Sequence, residues 1–120
     1  MFAAAEASAM VRDLRRRLGA DAVALVRRDG QLLAADLPNG GYPETFAILT
    51  ATVLGAASAA AREAGGGLPD RVVFEGPDAR GVVARCGATA LLAVLLPLAS
   101  PAQDVLGEIA RFAEALAPHV

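Results

Sequence analysis

Apolar residues recur along the chain in two rhythms, and the switches between them predict the order of elements. Between residues 4 and 18, Met10, Val11, Leu14 and Leu18 fall on one stripe at helical spacing, while Arg12, Asp13, Arg16 and Arg17 lie off it. Gly19 is a suitable stop for that helix, because glycine accepts the left-handed backbone that closes many helices. Two apolar runs, AVALV at 22–26 and QLLAA at 31–35, flank Arg27-Arg28-Asp29-Gly30. Asp-Gly between such runs predicts a tight hairpin, since the turn needs a positive φ. The stretch LPNGGYP at 37–43 reads as loop.

A second helix is predicted from about Glu44 to Glu63, ending in Gly65-Gly66-Gly67. RVVFEG at 71–76 and GVVARC at 81–86 read as paired strands around a Pro77-Asp78-Ala79 turn. ATALLAVLLP at 88–97 is continuously apolar, the pattern of a central strand covered on both faces. For the last helix, Ser100 is the expected cap, Pro101 the first helical residue and Gln103 the other half of a capping box. Its stripe is Val105, Ile109, Phe112 and Leu116, and Pro118 ends it. The strand pairs are joined by short turns, which implies antiparallel pairing. The expected fold class is therefore α/β in the α+β sense: one domain over residues 1–120, with a five-stranded, mostly antiparallel sheet flanked by three helices.

The middle helix stands apart because it carries no charge between Glu44 and Arg62. At 3.6 residues per turn, Phe46, Leu49, Val53, Ala57 and Ala60 share one side, which is expected to cover the sheet. Glu44, Ala47, Ala51, Gly55, Ser58 and Arg62 share the opposite side, flanked by Ile48 and Leu54. Small residues four apart let a second backbone approach closely, and a helix apolar on two faces marks an interaction site. If the helix meets its own symmetry mate antiparallel about Val53, Glu44 approaches the partner's Arg62 twice, as an isologous two-fold contact requires. The plainer reading is that alanine enrichment has weakened an ordinary polar face. The uncharged run is shorter than the roughly 20 residues a bilayer core demands. The apolar run at 86–103 is broken by Pro97 and Pro101, so no membrane partner is expected. The N-terminus MFAAAEASAMVRDLRRRLG, interrupted by Glu6 and charged from Arg12, does not read as a secretory signal.

Composition narrows the function by exclusion. A length of 120 residues fits one domain. All 11 basic residues are arginine and 13 acids leave a net charge of −2, so no overall field draws nucleic acid or anionic lipid. Arg12, Arg15, Arg16 and Arg17 spread around their helix, and the absence of tryptophan leaves little to stack on bases, so no nucleic-acid partner is expected. Without lysine there is no P-loop, and the three glycines at 65–67 follow a helix where a phosphate cradle would precede one. A single histidine, His119, and a single cysteine, Cys86, support neither a nucleophile triad nor a zinc site. Cys86, between Arg85 and Gly87 in a strand-like run, reads as a small buried side chain, and the lone thiol fits a reducing, cytoplasmic setting. Asp29 and Asp36 are a formal carboxylate pair, but the turn already explains Asp29. The expectation is no catalytic residue, no cofactor, no metal, and no enzyme.

The ensemble of AVALVRRDGQLLAADLP, the small-residue helix from Glu44, RVVFEGPDARGVVARC and LLAVLLP before the last helix resembles the roadblock/dynein light chain family, which includes the bacterial MglB-like proteins. The likeness spans about residues 5 to 117. It implies a profilin-like topology and a homodimer or heterodimer in which the middle helices pack together and the third strands pair. On that likeness, Glu44, Ala47, Ile48, Ala51, Gly55, Ser58 and Arg62 match the helix contact, and Arg71, Val72, Val73, Phe74 and Glu75 match the edge strand. The implied function is non-enzymatic binding of a Ras-like small GTPase or scaffolding, with stimulation of the GTPase in some bacterial members. Because the extra C-terminal segment of some GTPase-regulating relatives is not seen here, binding is expected ahead of activation. The alternative is a PAS- or GAF-like sensory module without a GTPase partner, which requires a buried cavity with convergent polar groups.

Overall fold

The computed structural model describes residues 4–38, 41–100 and 102–120. In chain order the elements are α1 (Ala4–Leu18), β1 (Ala22–Arg27), β2 (Leu32–Asp36), α2 (Pro43–Glu63), β3 (Arg71–Glu75), β4 (Ala79–Cys86), β5 (Ala90–Pro97) and α3 (Ala102–Leu116), followed by a 3-10 turn at Ala117–His119. The strands form one sheet in the order β2-β1-β5-β4-β3, and every neighbouring pair is antiparallel. The continuously apolar run becomes β5 at the sheet centre, where Leu91, Leu92 and Ala93 are wholly buried. The expected fold class is thus the observed one.

Local chemistry explains the connections. Gly30 adopts φ +98 in the β1–β2 turn, and its N–H donates to the Arg27 carbonyl at 2.9 Å. The Asp29 carboxylate accepts the Gln31 N–H at 3.0 Å, closing the turn as aspartate commonly does. Register shifts by one residue between Leu25 and Val26, so the β1–β2 ladder is locally distorted. A second tie, not foreseen from sequence, joins α1 to this edge: Arg15 Nη1 donates to Asp36 Oδ1 at 3.1 Å. Pro101, expected as the first helical residue of α3, and the side chain of Gln103, expected to complete a capping box with Ser100, lie outside the described residues.

The sheet separates two apolar layers. On one face α1 and α3 pack Val11, Leu14, Ile109 and Leu116 against Val23, Leu25, Val82, Leu92, Val94 and Leu96. On the other face α2 lies alone over a smaller cluster of Ala24, Val26, Ala47, Leu54, Val83, Leu91 and Ala93. By length and composition, α2 is the one helix among the described residues able to cross a membrane: it runs 21 residues, longer than its uncharged stretch. Here it is part of the fold, with Ala47, Thr50, Leu54 and Ser58 buried.

That set corrects the facing expected for α2. Leu49 is 58% exposed, whereas Ala47 is fully buried and Ser58 nearly so. The helix is turned so that Ala47, Thr50, Leu54 and Ser58 meet the sheet directly; of the expected face, Phe46 and Val53 pack half-buried against the same cluster and Leu49 faces solvent. The physical reason is close approach: Val26, Val83 and Leu91 already fill the space above the strands, leaving room for Ala47, Thr50 and Ser58 with Leu54 keyed between them. Four-residue spacing of small side chains does serve backbone approach, but much of that approach is to the chain's own sheet.

Candidate interaction surface

Turning α2 moves the exposed stripe rather than abolishing it. Thr45, Ile48, Leu49, Thr52, Gly55, Ala56 and Ala59 face solvent, with Glu44 at one end and Arg62 and Glu63 at the other. Ile48 and Leu49 are each 58% exposed, so two large aliphatic side chains sit in an uncharged strip of small residues. Of the interface residues expected from sequence, Glu44, Ile48, Gly55 and Arg62 lie on this strip and Ala51 at its buried margin. Ala47 and Ser58 do not: both are buried within the protomer and cannot meet a partner. Leu49, Thr52, Ala56 and Ala59 were missed. The signal that marks them is Thr45, Thr52 and Glu63 falling on one side of the helix, opposite Leu54.

A Cβ built on Gly55 meets nothing within 4 Å, so this glycine leaves the helix surface open where a neighbouring backbone would lie. No ion pair holds Glu44 or Arg62 among the described residues, and both charges stand free at the ends of the strip.

The second component is the sheet edge. β3 is the outermost strand on its side, paired only with β4. Its residues are nearly all exposed, including Val73 at 41% and Phe74 at 43%, and only Val72 is half-buried. The Phe74 ring lies across Gly81 on the α2 face, filling the place a side chain on β4 would take. An exposed, regular, apolar edge is a ready template for strand addition. The opposite edge at β2 carries the register shift and the Arg15–Asp36 tie. Because α2 touches β3 and β4 as well as β1 and β2, the helix strip and the β3 edge belong to one side of the molecule.

The remaining chemistry is quiet. Asp29 sits at the β1–β2 turn and Asp36 at the far end of β2, bound to Arg15, so the two carboxylates are not brought together. Cys86 is 1% exposed, its thiol donates to the Ala113 carbonyl at 3.3 Å, and burial pushes its pKa up to about 11. That thiol is neither ionised nor accessible at neutral pH. Among the described residues no cluster of three or more His, Cys, Asp or Glu side chains is placed to hold a metal. A groove of about 560 Å³ runs between α3 and the start of β3, open at the surface and lined at one end by Asp70, Arg71 and Arg85.

Comparison with known proteins places this profilin-like domain more closely. The sequence matches the Roadblock/LC7 domain over residues 6–96, and the chain belongs to that family. MglB of Myxococcus xanthus is similar in structure, with 20% identity and a TM-score of 0.89 over 99% of this chain and 92% of that one. An MglB solved in a tetrameric arrangement has 27% identity and a TM-score of 0.87, over 98% and 91% of the respective chains. Profilin II of Acanthamoeba castellanii shares the fold at 14% identity and a TM-score of 0.65, covering 94% of this chain and 98% of its own. No curated protein sequence matches the chain.

Proposed function

We propose that this Roadblock/LC7 protein is a non-enzymatic, cytoplasmic homodimer that binds a Ras-like small GTPase and modulates its nucleotide cycle. The observation that carries the reading is the uncharged, solvent-facing strip of α2, with Ile48 and Leu49 exposed, on the same side as the unpaired β3 edge. Two protomers joined there bury an apolar surface that neither can cover alone. The interface comprises Glu44, Ile48, Ala51, Gly55 and Arg62 from α2, joined by Leu49, Thr52, Ala56 and Ala59. Arg71, Val72, Val73, Phe74 and Glu75 contribute from β3. Similarity to MglB structures, one of them tetrameric, supports self-association.

The paired middle helices present a composite surface, and a GTPase seated there has its switch loops within reach of both protomers. Ordering those loops is the physical route by which a protein without catalytic groups changes turnover. The sensory alternative draws no support from the groove beside α3, which is open at the surface where a sensor needs an enclosed cavity. The test has two stages. Light scattering at micromolar concentration should give twice the protomer mass; a monomer there removes the dimer. Titration with a Ras-like GTPase in its GDP and GTP-analogue forms should then show binding to one form only. Equal or absent binding to both overturns the regulatory reading.

A further inference from the structure

The densest run of charge in the chain lies on α1, where Arg12, Arg15, Arg16 and Arg17 fall within six residues. Sequence alone spreads them around the helix, yet three of them converge. Arg15 and Arg16 stand three and four residues beyond Arg12, so the three share one flank. With Gly19, Ala20 and Asp36 they line a single open depression of about 450 Å³ where α1 meets β2. Arg17 does not line it.

Two carboxylates answer these four guanidiniums. Asp36 Oδ1 accepts from Arg15 Nη1 at 3.1 Å, and Arg15 Nε also donates to the Ala20 carbonyl at 3.3 Å. Asp13 is shared: its Oδ1 accepts from Arg16 Nη2 at 3.1 Å, and its Oδ2 lies 3.7 Å from Arg17 Nε. Arg12 is exposed and has no ion pair or side-chain hydrogen bond among the described residues. The helix dipole accounts for Arg15, Arg16 and Arg17, which lie in the last turn, where a cation meets the negative end. It does not account for Arg12. That residue sits one turn earlier and is repelled by the like charges three and four positions on. An anion shared by the three guanidiniums turns that repulsion into attraction.

We propose that this depression binds the phosphate group of a small, soluble phosphate monoester. Arg12 and Arg16 supply the free donors, and Arg15, which Asp36 orients, supplies the third guanidinium. Guanidinium forks match pairs of phosphate oxygens, and a dianion balances the surplus of four arginines over two aspartates. The surrounding charge selects a soluble ligand over a lipid headgroup. α3 lies on the same face of the sheet and presents Asp104, Glu108 and Glu114 against Arg111 alone. A flat anionic membrane would meet repulsion there, beside the arginines that attract it. The site belongs to the protomer and does not depend on self-association. α1 covers the face opposite α2, and β2 is the edge opposite β3, so pairing through α2 and β3 leaves both copies of the site open.

Inorganic phosphate is the probe, titrated into the isotope-labelled protein at fixed ionic strength and followed by heteronuclear NMR. The amides of Gly19 and Ala20 and the Nε–H signals of Arg12 and Arg16 should shift together and saturate. Arg12→Ala should weaken the affinity roughly tenfold, as loss of a charge-assisted hydrogen-bonding partner does. Arg12→Lys keeps the charge but loses the fork, and should lose most of the same affinity. Because Arg12 is exposed, both variants should keep the wild-type amide spectrum away from the site. Arg111→Ala removes the same charge from α3 and should change the affinity by less than about twofold. Flotation with phosphatidylcholine vesicles containing a phosphatidylinositol monophosphate separates the two sources of phosphate. No co-flotation is expected; co-flotation that Arg12→Ala abolishes overturns the soluble ligand in favour of a lipid surface. Shifts that never saturate, or an Arg12→Ala affinity equal to wild type, overturn the site itself.

Discussion

Two hydroxyl residues, Thr50 and Ser58, decide how the middle helix sits. Both are about 4% exposed, yet neither is left wanting a partner. Thr50 donates to the Phe46 and Ala47 carbonyls at 2.9 and 3.1 Å, and Ser58 donates to the Leu54 carbonyl at 2.8 Å. A hydroxyl bonded back to its own helix presents only its carbon side to the sheet, so it packs as a small apolar group. Cys86 shows a related economy on the other face, its thiol bonded to Ala113 and its thiolate disfavoured by burial. The sign of the consequence is fixed. The folded pKa of about 11 lies above the ordinary value of 9.0, so stability attached to the neutral thiol is complete below pH 9 and is lost as pH rises towards 11. Denaturant midpoints should therefore fall across that window in wild type more steeply than in Cys86→Ala. Thiol reagents at pH 7 should label the native protein only at the rate at which it opens.

At the scale of elements, hydrophobic rhythm gave the order, kinds and approximate bounds of the three helices and five strands, together with the central place of β5. Those features follow from local periodicity and turn chemistry, which act within a few residues and are therefore visible in the chain. The rotation of α2 was not visible, because both of its faces are uncharged and the usual contrast between polar and apolar sides is missing. Size was then the remaining guide and placed Leu49 inward; packing against Val26, Val83 and Leu91 placed it outward. The edge position of β3 could be inferred only through likeness to a family, since strand order depends on contacts between distant segments. The α2 rotation makes a sharp contrast testable. Leu54→Ala, at a wholly buried site, should lower protomer stability by about 2–5 kcal/mol. Leu49→Ala, five residues earlier, should change it by less than about 0.5 kcal/mol while weakening self-association. Urea unfolding at low protein concentration separates the two effects, and equal losses at both positions would return Leu49 to the core.

For the whole molecule, the question is whether partner binding belongs to the protomer or to the pair. The protomer already buries a complete core on both faces of its sheet, so it has no need of a second chain to satisfy its interior. The surfaces it leaves open include the α2 strip, with Ile48 and Leu49 exposed, and the β3 edge, with Val73 and Phe74 exposed. A site assembled from two such sides should vanish on dissociation even though each protomer stays folded. Gly55→Leu isolates that case. The site is open, so the new side chain meets no atom of its own protomer, and leucine favours a helix over glycine by up to about 1 kcal/mol. The variant should therefore unfold at higher denaturant than the wild-type protomer, yet dimerise less because leucine occupies the space left for the facing helix. If the GTPase reads the paired helices, its affinity should fall in parallel with the dimer fraction and recover at protein concentrations that restore the dimer. Affinity that follows protomer concentration alone would instead locate the GTPase contact within a single chain. Opposite changes in stability and association separate this outcome from simple misfolding, which lowers both together.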